Sequence, residues 1–274
     1  MGTQTIDGYD DIHHNLRFWI RALLDQIEPK VPDMPRIVYD IGANDGELTL
    51  PLAGDGTRVI AFEPQPAARS RLMSRAAQAG LEIALWGVAD LTVVPLALGD
   101  RDTMIPFQVY SDDTFSSQYA RPAEEQERYQ LQAVHELEVR MRPLDDLVTG
   151  GVVPPPDLVK IDVEGAERAV LTGAMDTLTR HHPPVIAEFS CPNTANAGYP
   201  RREIVDLLTR AGYLFIGGLF RHRDTVLYGP ESFDDCRIWN VVAVADRPQA
   251  EATSAMGGLI ARHYSTTLRE DPHE

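Results

Sequence analysis

Carboxylate side chains end three apolar, β-branched segments of this chain. Asp40 lies near the end of the segment 36–42, Glu63 near the end of 57–64, and Asp162 near the end of 156–165. If these segments are parallel strands of one sheet, their carboxyl ends meet at one edge, where α/β proteins bind ligands. A carboxylate at such an edge accepts hydrogen bonds from neighbouring hydroxyl groups. The spacing therefore predicts a binding site for a small molecule that carries hydroxyl groups.

The loop GANDG at 42–46 follows the first of these segments. Gly42 and Gly46 allow a tight turn and a close approach of backbone to a ligand. Glu63 stands 23 residues after Asp40 (63 − 40), close to the roughly 20 residues that separate the loop and the ribose-binding acid in nucleotide-binding units. Since one carboxylate can hold a ribose diol, we predict a cofactor that contains a nucleoside.

The same loop distinguishes between two cofactors. A dinucleotide fingerprint reads GxGxxG, but Asn44 stands where the second glycine would be, and Asp45 would repel a diphosphate. S-adenosylmethionine has no phosphate and carries a sulfonium and an ammonium, which suit acidic strand ends. The residues favour the methyl donor. A nicotinamide-dependent oxidoreductase is the alternative, and a non-catalytic cofactor-binding protein is a third hypothesis.

Alternating strands and helices must position these residues. The strands are predicted at 36–42, 57–64, 93–100, 156–165 and 183–190, with closing strands at 213–218 and 239–245 as an antiparallel edge pair; the helices are predicted at 64–80, 166–178 and 201–212, with a short one at 47–56. Buried parallel strands that alternate with helices indicate an α/β doubly wound sheet with helices on both faces.

Three parts of the chain depart from this alternation. Residues 10–28 have apolar side chains at helical spacing and predict an N-terminal helix. The stretch 101–146 predicts a β-hairpin or edge strands around a mobile loop at about 111–135. We therefore divide the chain into an N-terminal helix and linker at 1–33, a main domain at 34–246 and a polar tail at 247–274.

Composition limits the classes of partner. The formal net charge of −16 argues against nucleic acid, and no apolar run approaches the roughly 20 residues that span a bilayer. The N-terminus lacks the pattern of a secretory signal, so we expect a cytoplasmic protein. Cys191 and Cys236 could form one bridge at most, and no CxxC spacing indicates zinc or a redox pair, so we interpret them as buried or incidental thiols. We expect a small-molecule acceptor, and the amphipathic N-terminal helix is a candidate for a homodimer contact.

Several short motifs resemble those of the FkbM-type methyltransferases. They are DIGANDG at 40–46, FEP at 62–64, ALGD at 97–100, SS at 116–117, PLDDL at 143–147, KIDVEGAE at 160–167 and IAEFS at 186–190. The resemblance implies a seven-stranded Rossmann-like fold and methyl transfer to a hydroxyl of a sugar, polyketide or other secondary metabolite. The residues expected to contact the cofactor are Asp40, Gly42, Asn44, Gly46, Glu63, Pro64, Ala97, Ser117 and Asp162.

The acceptor chemistry is assigned to a second group of acids. Asp162, Glu164 and Glu188 follow the fourth and fifth predicted strands, so they should converge beside the cofactor. A base that removes the hydroxyl proton assists methyl transfer, and we expect these three residues to bind and deprotonate the acceptor. They could instead hold Mg²⁺, which prefers oxygen ligands. His222 is the alternative base.

Overall fold

A computed structural model describes residues 9–25, 35–54, 56–87, 89–220, 223–228, 233 and 236–245. Its helices are α1 (Tyr9–Leu24), α2 (Pro66–Gln78), α3 (Ala123–Arg128), α4 (Leu144–Thr149), α5 (Glu167–Thr172), α6 (Met175–His181), α7 (Cys191–Asn196) and α8 (Arg202–Arg210). Its strands are β1 (Arg36–Ile41), β2 (Thr57–Phe62), β3 (Ile83–Ala84), β4 (Leu91–Val94), β5 (Ala97–Leu98), β6 (Thr103–Tyr110), β7 (Ala133–Arg142), β8 (Leu158–Ile161), β9 (Val185–Glu188), β10 (Phe215–Phe220), β11 (Arg223–Tyr228) and β12 (Ile238–Val244).

The main sheet runs in the order β11-β10-β12-β9-β8-β1-β2-β4-β3. The strands from β9 to β3 pair in parallel, whereas β12 pairs antiparallel with both β9 and β10. The doubly wound sheet and its antiparallel edge pair are therefore confirmed. The strand number is larger than the expected seven, because the two-residue β3 and the outer β11 extend the two edges without a long apolar run in sequence.

Helices cover both faces of this sheet. Tyr39 and Ile41 of β1 pack into one buried cluster together with apolar residues of α4, α5, α6 and α8. Val38 belongs to a second cluster, which contains apolar residues of α1 and α2. Trp19 of α1 is only 1% exposed. Alternate residues of a strand point to opposite faces of the sheet, so Val38 faces α1 and α2 while Tyr39 and Ile41 face the other helices. The N-terminal helix is therefore part of the core on one face of the sheet.

A separate three-stranded sheet, in the order β5-β7-β6, leaves the main sheet after β4. The predicted hairpin is confirmed, since β6 and β7 pair antiparallel. The connection between them was expected to be a mobile loop, but it holds a 3-10 turn at Asp113–Phe115 and helix α3. The strand expected at 93–100 is divided between β4 and β5, which lie in different sheets.

Two helix predictions also need correction. The helix expected at 47–56 is a series of turns that ends in a bridge between Gly54 and Thr57. The helix expected at 166–178 is two helices, α5 and α6, which are separated at Gly173. There an added Cβ would lie 1.9 Å from the carbonyl oxygen of Gly99, so the chain approaches its neighbour too closely for a side chain.

The preference for unpaired thiols over a single bridge is wrong. Cys191, the first residue of α7, forms a disulfide with Cys236, and their Cα atoms are 5.8 Å apart. The two residues are 45 positions apart in sequence, and the bond joins the start of α7 to the segment just before β12.

No helix in the described ranges combines the length and the apolar character needed to cross a membrane. His222 and the residues 247–274 lie outside the described residues.

Candidate active site

A cleft of roughly 1030 Å³, including its open mouth, lies at the carboxyl ends of β1, β2 and β8. Ile105 and Phe107 of β6 and the following segment, with Ser116 and Gln118, form the opposite wall. Six residues that the sequence assigned to the cofactor line this cleft: Gly42, Asn44, Glu63, Pro64, Ala97 and Asp162. The sheet edge at which the strand pattern predicted a ligand site therefore carries a cleft.

The loop after β1 is shaped by two glycines with positive φ. Gly42 has φ +82°, and a Cβ there would lie 1.8 Å from the carbonyl oxygen of Asp162. Gly46 has φ +86°, and a Cβ there would lie 2.2 Å from the side chain of Leu72 in α2. Gly46 therefore allows the loop to pack on α2, and it does not line the cleft. Gly42 allows the end of β1 to approach the end of β8 closely.

Glu63 is held in place by the loop after β1. Its Oε2 accepts a hydrogen bond from the backbone N–H of Asn44 at 2.9 Å, and its Oε1 accepts one from the N–H of Gln65 at 2.8 Å. Burial raises the pKa of Glu63 to about 7, although these two backbone donors lower it. The carboxyl group is therefore fixed in orientation at the cleft wall, with further acceptor capacity for a ligand hydroxyl.

Asp40 lies below the cleft rather than on its surface. It is 1% exposed, its Oδ2 accepts a hydrogen bond from Thr49 at 2.5 Å, and its Oδ1 is 2.9 Å from Lys160 Nζ. Lys160 also donates to the carbonyl oxygen of Gly42 at 2.9 Å and lies 3.6 Å from Asp162 Oδ2. Burial lowers the pKa of Lys160, but Asp40 and Asp162 outweigh this effect and raise it.

Lys160 is a functional residue that the strand pattern did not indicate, although its position in β8 carries a signal. Lys160 is the only charged residue in the buried strand β8, whose four residues read LVKI. A lysine is almost never fully buried without a partner, so its position in that strand required a nearby carboxylate. The structure identifies that carboxylate as Asp40, the residue at the end of the adjacent strand β1.

Asp162, Glu164 and Glu188 converge as the strand order predicted. One carboxylate oxygen from each residue can be chosen such that all three lie within 4.8 Å of one another. Asp162 and Glu164 line the cleft, and Glu188 is buried behind them with 7% of its surface exposed. Glu164 has φ +56°, a conformation that costs energy for a residue with a side chain and is concentrated at functional sites.

Two residues that the sequence did not indicate hold this acidic group together. Arg121, from the segment between β6 and β7, donates one hydrogen bond to Glu164 Oε2 and another to Asn193 Oδ1. Asn193 of α7 donates to Glu164 Oε2 at 2.8 Å and to Glu188 Oε1 at 2.7 Å. Arg121 is 43 and 72 residues from Glu164 and Asn193 respectively, so no local pattern could reveal the contact.

Burial and mutual repulsion change the protonation of these acids. Burial raises the pKa of Glu164 to about 7, with Arg121 acting in the opposite direction and Asp162 adding to the increase. Burial, followed by the charges of Glu164, Glu167 and Asp162, raises the pKa of Glu188 well above its usual range. A carboxylate with a pKa near neutrality that lines a cleft can accept a proton from a bound hydroxyl group.

Ser117 was expected to contact the cofactor, and the structure places it behind the cleft wall. It is 1% exposed, and its hydroxyl donates to the carbonyl oxygen of Glu164 at 2.8 Å. Its backbone forms a bridge with Gln108 of β6. The neighbouring Ser116 lines the cleft instead. Ser117 thus fastens the small sheet to the loop that carries Glu164.

Sequence comparisons identify related proteins. The family described as "Methyltransferase FkbM domain" matches residues 40–215 of this chain. The 2-O-methyltransferase NoeI of Sinorhizobium fredii is 28% identical over 200 residues, which cover 69% of this chain and 74% of NoeI. The hexuronic acid methyltransferase AglP of Haloferax volcanii is 27% identical over 192 residues, which cover 70% of this chain and 67% of AglP.

Comparison with solved structures finds methyltransferases as well. The methyltransferase FkbM of Methylobacillus flagellatus is 19% identical and aligns with a TM-score of 0.45, over 77% of this chain and 44% of that protein. The magnesium protoporphyrin IX methyltransferase of Synechocystis, solved with bound S-adenosylmethionine, is 12% identical with a TM-score of 0.45, over 90% of this chain and 87% of that protein.

Proposed function

This chain belongs to the FkbM methyltransferase family and uses S-adenosylmethionine, and we propose that it methylates a hydroxyl group of a sugar. The family match favours the methyl donor over the nicotinamide cofactor that the strand pattern also allowed. The names of two relatives, a 2-O-methyltransferase and a hexuronic acid methyltransferase, support a sugar acceptor. The observation that carries the proposal is the convergence of Asp162, Glu164 and Glu188 at the cleft.

The chemistry of the cleft fits the methyl donor. The charged side chains among its described lining residues are acids apart from Lys160, whose charge is shared by Asp40 and Asp162. S-adenosylmethionine is a cation at its sulfonium and ammonium groups, and when bound it supplies an activated methyl group. A diphosphate would meet unfavourable charge in the same place.

We assign the donor half of the cleft to the ends of β1 and β2. Glu63 would hold the ribose diol, since its orientation is fixed by the N–H groups of Asn44 and Gln65. Gly42, Asn44, Pro64, Ala97 and Asp162 would line the remainder of the cofactor. Asp40 would act through Lys160 and the carbonyl of Gly42, without touching the cofactor itself.

We assign proton removal to Glu164. Its Oε2 is occupied by Arg121 and Asn193, which leaves Oε1 for the acceptor hydroxyl. Methyl transfer is an in-line displacement, so a base that holds the attacking oxygen also orients it. Asp162 would bind the acceptor beside Glu164. Glu188 would act indirectly, because it accepts a hydrogen bond from the Asn193 amide, which also donates to Glu164.

A magnesium ion is the second candidate for this cluster. Glu188 Oε2 is buried and has no hydrogen-bond partner among the described residues, and hard cations prefer carboxylate oxygens. Arg121 and Lys160 already supply positive charge to Glu164 and Asp162, which favours the base over the metal. Activity measured after chelation and again with added Mg²⁺ separates them, because only the metal mechanism requires the ion to restore the rate.

The proposed function is tested by direct product identification. The protein would be incubated with isotope-labelled S-adenosylmethionine and a panel of methyl glycosides, and labelled products identified by mass spectrometry. The expected product carries the methyl group on a ring oxygen, and Glu164→Gln protein should form it at a greatly reduced rate. Binding of the methyl donor without transfer to any sugar, or transfer only to nitrogen, would contradict the proposal.

A further inference from the structure

Glu164 lies in a short turn between β8 and α5 whose backbone is strained. Its φ is +56°, in the left-handed region, and the following Gly165 has φ +103°. A residue with a side chain stays in this region only where the surrounding contacts hold it there. The hydrogen bonds from Arg121 and Asn193 are made to the Glu164 carboxylate. The backbone of the turn therefore needs partners of its own.

Glu167, the first residue of α5, supplies these partners. Its Oε1 accepts a hydrogen bond from the backbone N–H of Val163 at 3.1 Å and another from the N–H of Gly165 at 3.2 Å. The two donor residues stand on either side of Glu164 in the chain. Glu167 is only 1% exposed, so these hydrogen bonds form away from water and restrain the turn more strongly than exposed ones would.

Further contacts hold Glu167 itself and the other side of the turn. Tyr199 is 4% exposed, and its hydroxyl donates to Glu167 Oε2 at 3.1 Å, so both carboxylate oxygens of Glu167 have partners. The hydroxyl of Ser117 donates to the carbonyl oxygen of Glu164 at 2.8 Å. The peptide group that follows Glu164 is thus held at its oxygen by Ser117 and at its N–H by Glu167.

A glutamate in the first turn of a helix commonly caps that helix, and a capping role predicts different partners. In a capping box the side chain binds the N–H of the N-cap residue, which is Ala166 in α5. Val163 and Gly165, the donors in this protein, both precede that residue. These two hydrogen bonds therefore hold the turn that comes before the helix.

The methyl-donor side of the same loop has a separate anchor. The backbone N–H of Asp162 donates to the carbonyl oxygen of Ile41 in β1 at 3.0 Å, and the Asp162 carboxylate lies 3.6 Å from Lys160. Loss of the Glu167 carboxylate should therefore displace Glu164 and leave Asp162 in place. The effect on the acceptor half of the cleft can be measured separately from the effect on the donor half.

We propose that Glu167 is a positioning residue, which fixes the turn 163–165 and thereby directs the Glu164 carboxylate toward the acceptor. This inference rests on the proposed function, because it takes Glu164 as the base for the acceptor hydroxyl. Glu167 is not among the described residues that line the cleft, so it acts through Glu164. The loss of kcat that follows its removal should depend on the presence of Glu164.

The test is a double-mutant cycle between Glu167→Ala and Glu164→Gln, with kcat measured on the methyl glycoside that the product assay identifies. With Glu164 present, Glu167→Ala should lower kcat by about 10- to 100-fold, because a base displaced by about 1 Å loses much of its effect. In the Glu164→Gln background, the same change should lower kcat by less than about threefold. The affinity for S-adenosylhomocysteine, measured by isothermal titration, should change by less than about threefold in either background.

Glu167→Gln tests whether Glu167 acts by hydrogen bonding. The amide oxygen of glutamine can accept from the N–H groups of Val163 and Gly165, while its NH₂ group donates to the Tyr199 hydroxyl oxygen. We expect kcat to lie within about threefold of that of the unchanged protein. The measurement is made well above pH 7, because burial raises the pKa of Glu164 to about 7.

Glu203→Ala is the matched control for Glu167→Ala. It removes a partly exposed acid that lies 3.0 Å from Arg168, the neighbour of Glu167, and it should leave kcat unchanged. If the Glu167→Ala protein does not fold, Tyr199→Phe replaces it in the cycle, because this change removes only the hydroxyl that binds Glu167. Its expected loss of kcat is about three- to tenfold, again only where Glu164 is present.

An equal loss of kcat in both backgrounds, or a Glu167→Gln protein as slow as the Glu167→Ala protein, would overturn the inference and leave Glu164 as the base. If Glu164→Gln is as active as the unchanged protein, or if no sugar is methylated by a protein that binds S-adenosylmethionine, the proposed function fails, and this inference fails with it.

Discussion

The two halves of the cleft are built in different ways. The donor half consists of consecutive strand ends, and its side chains are held by backbone groups nearby in sequence, such as the N–H of Gln65 that binds Glu63. The acceptor half is held by side chains from distant segments, with Arg121 and Asn193 joining Glu164 and Glu188. The donor half therefore depends on local backbone geometry, and the acceptor half depends on tertiary packing.

Glu164→Gln should produce the largest difference between the halves. Removal of the proposed base should lower kcat by about 10²- to 10⁴-fold, while the affinity for S-adenosylhomocysteine remains near that of the unchanged protein. Steady-state kinetics and isothermal titration measure the two quantities separately. Glu125→Gln is the matched control, because Glu125 lies 3.5 Å from Arg121 but does not line the cleft. A Glu164→Gln protein within threefold of normal activity would remove Glu164 from the mechanism.

Glu63→Gln should affect the opposite half. An amide places its NH₂ group against one of the two backbone N–H donors that now face the carboxylate, so the side chain can no longer accept both. We expect cofactor affinity to fall by about 10- to 100-fold, with kcat at saturating cofactor changed much less. Glu47→Gln, a change at another acid of the cleft wall, should leave the affinity within about threefold. Equal affinities for the two variants would contradict the ribose assignment.

The pH dependence of kcat gives a further test of the acceptor half. Since burial raises the pKa of Glu164 to about 7, its base form is lost as the pH falls, and kcat should decline below about pH 7. Arg121 lowers this pKa, so Arg121→Met should move the acid limb to higher pH by about one unit or more.

Arg121→Lys keeps a positive charge and should return the limb toward its original position, provided that both variants remain folded by circular dichroism. Unchanged acid limbs in both variants would show that Glu164 is not the group whose titration controls the rate.

The smallest effect on catalysis should come from the disulfide. The double change Cys191→Ser and Cys236→Ser releases a link across 45 residues and should lower stability by about 2–4 kcal/mol, seen as a lower Tm. We expect kcat at a temperature where the protein is folded to change by less than about threefold, because the hydrogen bonds of Asn193 persist. A large loss of kcat without a decrease in Tm would show that the disulfide supports the geometry of the active site rather than the stability of the fold.

The acids of the donor half could be predicted from the sequence. Asp40, Glu63 and Asp162 follow apolar runs, so their meeting at one edge follows from the strand pattern and the rules of parallel sheets. Even there, the pattern could not show that Asp40 is turned away from the cleft toward Lys160. Asp40 and Lys160 are register partners on the adjacent parallel strands β1 and β8, so their side chains lie on the same face of the sheet.

In the acceptor half, only the acidic residues could be predicted from the sequence. The position of Glu164 and Glu188 after two strands placed them correctly, but Arg121 comes from a segment that was expected to be mobile. Its contact with Asn193 spans 72 residues. Contacts of this kind carry no periodicity, and the pairing of Cys191 with Cys236 was missed for the same reason.

The small sheet offers a route to redesign. Between Leu98 at the end of β5 and Arg142 at the end of β7 the chain makes an excursion, and these two residues are paired neighbours on adjacent strands of the small sheet. The N–H of Gly99 also donates to the carbonyl oxygen of Arg142 at 3.1 Å, so the two ends of the excursion lie side by side. Exchange of residues 100–141 as one unit between family members should therefore replace the cleft wall formed by Ile105 and Phe107, while Glu63 and the loop 42–46 keep their own sequence.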